Sequence, residues 1–169
     1  MKDVSTYLAW EKMREGACIV GRHVELQGAL AIPSLIEGVP VVEIGAEALE
    51  TSLLASVDVP GSVEIIGRRA FALCLNLIEA RLREGLKKID PRAFYLCQGL
   101  VRVDIPNTVE VIDEEAFAFC PNLIEARLPS TVKKIGINAF DKKAILIVDA
   151  GTYAERWCVQ NHLGKYKVC

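Results

Sequence analysis

Slid along itself by 23 positions, this sequence recurs. Phe71, Phe94, Phe117 and Phe140 keep that step, as do Ile66, Ile89, Ile112 and Ile135. Cys74, Cys97 and Cys120 fall in one slot, and Leu77, Leu100 and Leu123 in another. The clearest copy runs from Ile112 to Lys134. A looser one starts 22 residues before Ile66, at Ile44, with Ala48-Leu49 standing where Ala-Phe stands later. One such unit is too short to enclose its own apolar face, so the units must stack and share a core. That excludes most conventional enzyme domains and predicts a solenoid.

Size and composition fit a small stack. A chain of 169 residues can bury roughly 70% of its unfolded surface, and about half of this one is apolar, with a net charge of −2. No basic excess points to nucleic acid, and no apolar run is long enough to insert into a membrane. The start, Met1 to Trp10, lacks the apolar segment of a secretion signal. A complete chain would therefore be expected in the cytoplasm, and a fragment of a larger exported protein at the cell surface.

Three of the six cysteines repeat with the coil, in a slot suited to a small inward side chain. Neighbours in a ladder rarely meet the geometry of a disulfide, there is no Cys-x-x-Cys, and only His23 and His162 offer imidazoles. Buried free thiols are the expectation, ahead of disulfides or metal, and no cofactor is expected.

Along the chain, Ala9–Met13 and Ala17–Val20 flank Arg14-Glu15-Gly16 and read as a β-hairpin, with a helix over 4–14 as the competing reading. Either would cover the open first coil. From Leu30 a degenerate coil begins, and Ile32-Pro33 matches Val59-Pro60, Ile105-Pro106 and Leu128-Pro129. Proline there ends a short strand, having no N–H for the ladder. Leu77, Ala80 and Leu82, with Leu100, Val103, Ile105 and Leu123, Ala126, Leu128, read as one inward row. Val63 with Ile66, Val109 with Ile112 and Val132 with Ile135 read as a second. The Ala-Phe pair should start a helical or 3-10 turn opposite the strands. Thr152-Tyr-Ala-Glu155 is a capping box and Gly164 a natural stop, predicting a closing helix with Ala154, Trp157, Cys158 and Asn161 on one face.

The unit Ile-Gly/Asp-x-x-Ala-Phe-x-x-Cys-x-x-Leu-x-x-Val/Ala-x-Leu/Ile-Pro resembles the BspA-like leucine-rich repeat of bacterial, often surface-exposed, proteins. The entry Gly38-Val-Pro-Val-Val-Glu-Ile-Gly45 and the ending Ala150–Trp157 are similar to theirs as well. The likeness covers roughly residues 30–163. It departs at Leu49 for Phe, Arg83 for Pro and Lys143 for Cys. The resemblance implies an α/β repeat solenoid: a right-handed leucine-rich repeat with short parallel strands on one face, helical turns opposite and a C-terminal capping helix. Residues 1–29 would be an N-terminal cap, 30–140 the coils, and 141–169 the terminal coil with its helix.

Outward positions are the most informative part of the surface. Residues 23 apart lie side by side on neighbouring coils, which gives the columns Asp58, Arg81, Asp104, Arg127 and Ser56, Glu79, Arg102, Glu125. Beside the second inward row a third column is Glu64, Lys87, Glu110, Lys133. Apart from the neutral Ser56, signs alternate down each column, and in the two strand columns neighbouring positions oppose each other as well. The plainer reading is a self-compensating lattice that fixes register, each pair adding about 0.2–1 kcal/mol. The sharper reading makes Glu79, Arg81, Arg102, Asp104, Glu125 and Arg127 a partner-binding face, which the resemblance also implies. A neutralised lattice suits a mixed-charge protein surface better than a polyanion. A fourth column, Ala55, Ile78, Val101, Ile124, is expected in the core by strand alternation, or else as an apolar stripe bordering the face.

Candidate chemistry is thin. Cys158 and His162 lie four apart on the closing helix, within reach of a thiolate–imidazole pair, but Cys158 fits better as the cap's buried underside. Asp113-Glu114-Glu115 reads as a solvated acidic turn, since three adjacent acids do not converge on one cation. The functional expectation is a non-catalytic protein-interaction module. A carbohydrate or adhesin element of a larger surface protein is the alternative, weakened by the lack of aromatics in the strand columns. The partner expected is another protein, with a second copy of this chain as a further candidate.

Overall fold

The computed structural model describes residues 4–161 and 166–169. A 3-10 turn (Val4–Tyr7) leads into β1 (Leu8–Lys12) and β2 (Ala17–Arg22), which pair antiparallel through a tight turn closed by the Met13 N–H to the Gly16 carbonyl. Then follow β3 (Gln27–Ala31), β4 (Leu35–Ile36), β5 (Val39–Ile44), β6 (Leu53–Val59) and β7 (Ile65–Ile66). The coils continue through β8 (Glu79–Leu82), β9 (Lys88–Ile89), β10 (Arg102–Asp104) and β11 (Val111–Ile112). The chain closes with β12 (Glu125–Arg127), β13 (Lys134–Ile135), β14 (Ile145–Val148), α1 (Tyr153–Gln160) and β15 (Tyr166–Val168).

Each coil contributes one residue pair to a narrow parallel sheet, β5-β7-β9-β11-β13, in which Ile44, Ile66, Ile89, Ile112 and Ile135 stand side by side. The β1–β2 hairpin extends this sheet by pairing β2 with β5. A second parallel sheet runs β3-β6-β8-β10, and β12-β14-β15 continues the stack. Both inward rows are buried, apart from Ile105, which is half-buried and packs against the core.

Opposite the strands the coils carry chains of β-turns in place of the helical turns the sequence suggested. N–H groups alternate in destination. Those of Arg69, Phe71 and Leu73 donate to the Pro91, Ala93 and Tyr95 carbonyls of the next coil. Those of Ala70, Ala72 and Cys74 close turns onto Gly67, Arg69 and Phe71. A helix would claim every amide for itself; here half are committed to the neighbour. The geometry places Arg69 and Leu73, Arg92 and Leu96, Glu115 and Phe119 at positive φ.

The shared core is a column of rings. Phe71, Phe94, Phe117 and Phe140 stack with centroids 5.0, 5.1 and 5.2 Å apart and planes within 12° of parallel. Leu49 ends the column, buried in the first coil's slot. Beside it runs the cysteine ladder, whose thiols donate to the carbonyl of the ring slot one coil back: Cys74 to Leu49 (3.2 Å), Cys97 to Phe71 and Cys120 to Phe94 (both 3.1 Å). Ser52 fills the thiol slot in the first coil, buried and bonded to Leu49 at 2.7 Å.

Two departures from the repeat have local reasons. Arg83, standing where the other coils have proline, uses the N–H that proline lacks to bond the Val59 carbonyl at 3.2 Å, and its guanidinium grips Asp58. Gly85 has φ +124, and a Cβ there would lie 2.0 Å from the Gly61 carbonyl oxygen. Gly85→Ala is therefore expected to lose at least about 1–3 kcal/mol, read as a lower midpoint in urea unfolding. An unchanged midpoint would show that this turn can relax without the glycine.

At the far end, Thr152 accepts from the Glu155 N–H, while the Glu155 carboxylate reaches the Gly151 N–H at 2.8 Å. Ala154, Trp157 and Cys158 of α1 are buried; Asn161 is exposed and bonds the Trp157 carbonyl. Gly164, the expected helix stop, and His162 lie outside the described residues.

Candidate interaction face

The outward side of the second sheet is set by register. Ala29, Ser56, Glu79 and Arg102 align across β3, β6, β8 and β10, as do Ala31, Asp58, Arg81 and Asp104. Glu125 and Arg127 occupy the same two outward places on β12. The six candidate residues thus stand on one surface, while Ala80, Val103 and Ala126 between them point into the core.

Their ion pairs run differently from a simple column lattice. Arg81 reaches Glu79 within its own strand at 3.2 Å, and Arg102 reaches Asp104 at 3.2 Å, with Glu79 4.0 Å away across the coil. Arg127 pairs with Asp149 at 3.1 Å, and Glu125 with Lys167 of β15 at 2.5 Å. Asp58 turns to Arg83, whose hydrogen bonds hold its carboxyl below the usual range. The third column does pair across coils: Lys87 with Glu64 and Lys133 with Glu110, both at 2.8 Å. Register fixes which charges are neighbours, and side-chain reach decides which of them touch.

The fourth column is a correction. Ile78, Val101 and Ile124 are 54%, 53% and 63% exposed, and Ala55 is half-buried. Strand alternation fails for Ile78, Val101 and Ile124 because each lies one residue before its strand begins, where two consecutive side chains turn outward, whereas Ala55 lies inside β6. The Val101 and Arg102 N–H groups both donate to the Ile78 carbonyl, at 2.9 and 3.2 Å, a bulge-like step that resets the pleat. The column is an apolar stripe along one border of the charged face.

Sequence reasoning missed two further features. Small residues Ala29, Ala31 and Ser56 leave a depression of about 230 Å³ beside Asp58, Glu79 and Arg81. On the turn side, exposed Phe119 packs edge-on against Tyr95 with centroids 5.3 Å apart, and Arg92 lies over Tyr95 while bonding Glu115 at 2.6 Å. A cavity of about 360 Å³ adjoins Phe119, with Phe140, Asn138, Asp141 and Lys142 among its walls.

Candidate chemistry elsewhere is equally plain. Burial pushes the Cys158 thiol up to about 11, which keeps it protonated at neutral pH. In the acidic turn, Asp113 bonds Lys134 and Glu115 bonds Arg92. Among the described residues no group of three His, Cys, Asp or Glu side chains gathers to hold a metal, and no helix is long and apolar enough to cross a membrane.

A stack of parallel coils with leucine, isoleucine and phenylalanine columns inside and alternating charges outside defines a leucine-rich repeat solenoid. The chain belongs to the family described as BspA type leucine rich repeat region, whose pattern matches residues 41–152 in six copies. The T. pallidum leucine-rich repeat protein TpLRR is similar at 32% identity and TM-score 0.80, over 85% of this chain and 68% of that one. A leucine-rich cell surface protein of Faecalibacterium prausnitzii matches at 23% identity and TM-score 0.69, over 85% of this chain and 43% of its own. The pneumococcal vaccine antigen PcpA matches at 20% and 0.56, over 85% and 50%. The latter two share the fold, and this chain spans half or less of each. Among curated proteins, none matches.

Proposed function

We propose that the chain is a non-catalytic protein-interaction module that engages a partner protein through Glu79, Arg81, Arg102, Asp104, Glu125 and Arg127. The observation that carries this reading is the conjunction on one rigid surface of alternating charges and an apolar stripe. Scattered exposed leucines or isoleucines need no explanation, but a row of three at successive coils is a patch that a partner covers. Because the coils hold these side chains in place, little ordering entropy is lost on contact. A binding role also agrees with the family, whose fold serves as a binding scaffold far more often than as an enzyme.

A second reading, an adhesin or carbohydrate-binding segment of a larger surface protein, draws on the turn side. Phe119 with its adjoining cavity supplies the aromatic platform that sugar sites need and the strand columns lack. The F. prausnitzii relative's surface location lends this reading context.

Affinity capture separates the two. The chain is offered bacterial lysate and, separately, extracellular host protein, beside a variant with Glu79, Arg81, Arg102 and Asp104 changed to serine whose melting curve confirms folding. The strand-face reading expects a captured protein whose recovery falls at least about tenfold with the variant. Equal recovery by both proteins, or no capture from either source, overturns it.

A further inference from the structure

From the spacing and signs on this surface we infer that the partner segment is an amphipathic α-helix lying along the solenoid axis. The inference rests on the strand-face reading above and names what that face takes. Its occupant presents one apolar residue per turn to Ile78, Val101 and Ile124, and a flank of cation, anion, cation to Glu79, Arg102 and Glu125.

The spacing singles out the helix. Successive coils are offset by the 5.0–5.2 Å of the stacked rings, and the exposed stripe repeats once per coil. An α-helix presents the same side once every 5.4 Å. Over the two steps from Ile78 to Ile124 the mismatch accumulates to about 0.7 Å, so three helical turns stay in register with three coils. An extended strand laid along the axis repeats its face every ~6.6–6.8 Å, and a polyproline helix every ~9.3 Å. Both lose register by the second coil. A helix laid across the coils would meet the stripe once only.

The charges give the helix its orientation about its own axis. Each stripe residue is followed directly by a charged one: Ile78 by Glu79, Val101 by Arg102, Ile124 by Glu125. Two places earlier stand the neutral Asn76, Gly99 and Asn122. One flank of the stripe is thus negative, positive, negative, and the other is uncharged. A bound helix needs a charged flank of opposite pattern and a neutral polar flank. The pattern reads the same in both directions, so it fixes the helix face and leaves the helix polarity open. Same-face residues of a helix that alternate Lys, Glu, Lys at one-turn spacing also support the helix itself.

Three 18-residue peptides with fluorescent labels test this. The first carries a leucine ridge and a Lys-Glu-Lys flank at one-turn spacing. The second inverts the flank to Glu-Lys-Glu and exchanges charges on the far side, keeping one composition. The third is the first with a central proline. Binding is followed by fluorescence anisotropy at low salt and again at 0.5 M NaCl. The first peptide is expected to bind at least about 10-fold more tightly than the second, a preference that shrinks at high salt. The proline should abolish most of the binding.

Two protein variants complete the test, each checked for an unchanged melting temperature. Val101→Ser is expected to weaken the first peptide about 10-fold. Arg102→Glu makes the column uniformly acidic and should transfer preference to a Lys-Lys-Lys flank. Equal binding of matched and inverted peptides, full binding of the proline peptide, or no binding of the matched peptide up to millimolar concentration would overturn the inference. If the peptides fail while the serine variant still loses its captured protein, the face recognises something other than a helix and the interaction reading stands. Peptide binding that survives in the four-serine variant at full strength would sink both.

Discussion

Replacing Phe94 by alanine is expected to remove about 3–5 kcal/mol of stability and to lower the melting temperature by on the order of 10 °C. Phe94 is wholly buried between Phe71 and Phe117, with centroids 5.0 and 5.1 Å away. The substitution withdraws apolar area and empties a site whose walls cannot close. The amides on either side are fixed: the Phe94 N–H donates to Ala116, and its carbonyl accepts the Cys120 thiol. It also breaks two ring contacts instead of one. Phe140 stacks on a single ring and is slightly exposed, so Phe140→Ala should lose less. Ile124→Ser, at an exposed position of the same repeat, should fall within about 0.5 kcal/mol of the parent. Urea unfolding of the three proteins reads the order directly. Equal losses at Phe94 and Ile124 would contradict the assignment of inward and outward columns.

That assignment shows where the sequence was legible and where it was not. The ring column, the isoleucine ladder and the cysteine slot could be read because each depends only on the repeat length, and stacking turns a fixed step into a contact. The neighbour relations of Glu79, Arg81, Arg102 and Asp104 follow from the same step. The stripe could not be read that way. Alternation is a rule for residues inside a strand, and Ile78, Val101 and Ile124 stand just before one, where the doubled bond to the Ile78 carbonyl resets the pleat. The turns misled for a related reason. Ala-Phe flanked by leucine and arginine has helical propensity, yet the amides of Arg69, Phe71 and Leu73 are taken by the next coil. Tertiary hydrogen bonds from the Leu73 and Leu96 amides hold both residues at positive φ against that propensity. Nor could the period say that Arg81 would reach along its strand to Glu79 and not across to Asp58, because a column fixes positions and leaves rotamers free.

Alkaline pH should expose the cysteine ladder in a way neutral pH hides. Burial raises the Cys74 and Cys97 thiols and pushes Cys120 up to about 12, from an ordinary 9.0. Below pH 9 both folded and unfolded chains keep these protons, and the thiols' contribution is complete and constant. Above it the unfolded chain releases protons that the folded chain retains, so stability falls as pH rises. Each retained proton steepens the fall by up to about 1.4 kcal/mol per pH unit, and the ladder thiols act in the same direction. Lysine deprotonation adds a background slope, which a matched variant removes. Serine is the natural replacement, because Ser52 already occupies this slot, buried, with its hydroxyl donating to the Leu49 carbonyl of its own coil. Under reducing conditions, urea unfolding at pH 7, 9, 10 and 11 should show the parent losing stability faster than Cys74→Ser/Cys97→Ser/Cys120→Ser above pH 9. The single variant Cys97→Ser should lie between them. Parallel slopes for parent and triple variant would mean that water reaches the ladder. The same burial predicts that, at neutral pH, Cys169 alone reacts quickly with a thiol reagent, while Cys18, Cys74, Cys97, Cys120 and Cys158 react only as the stack opens.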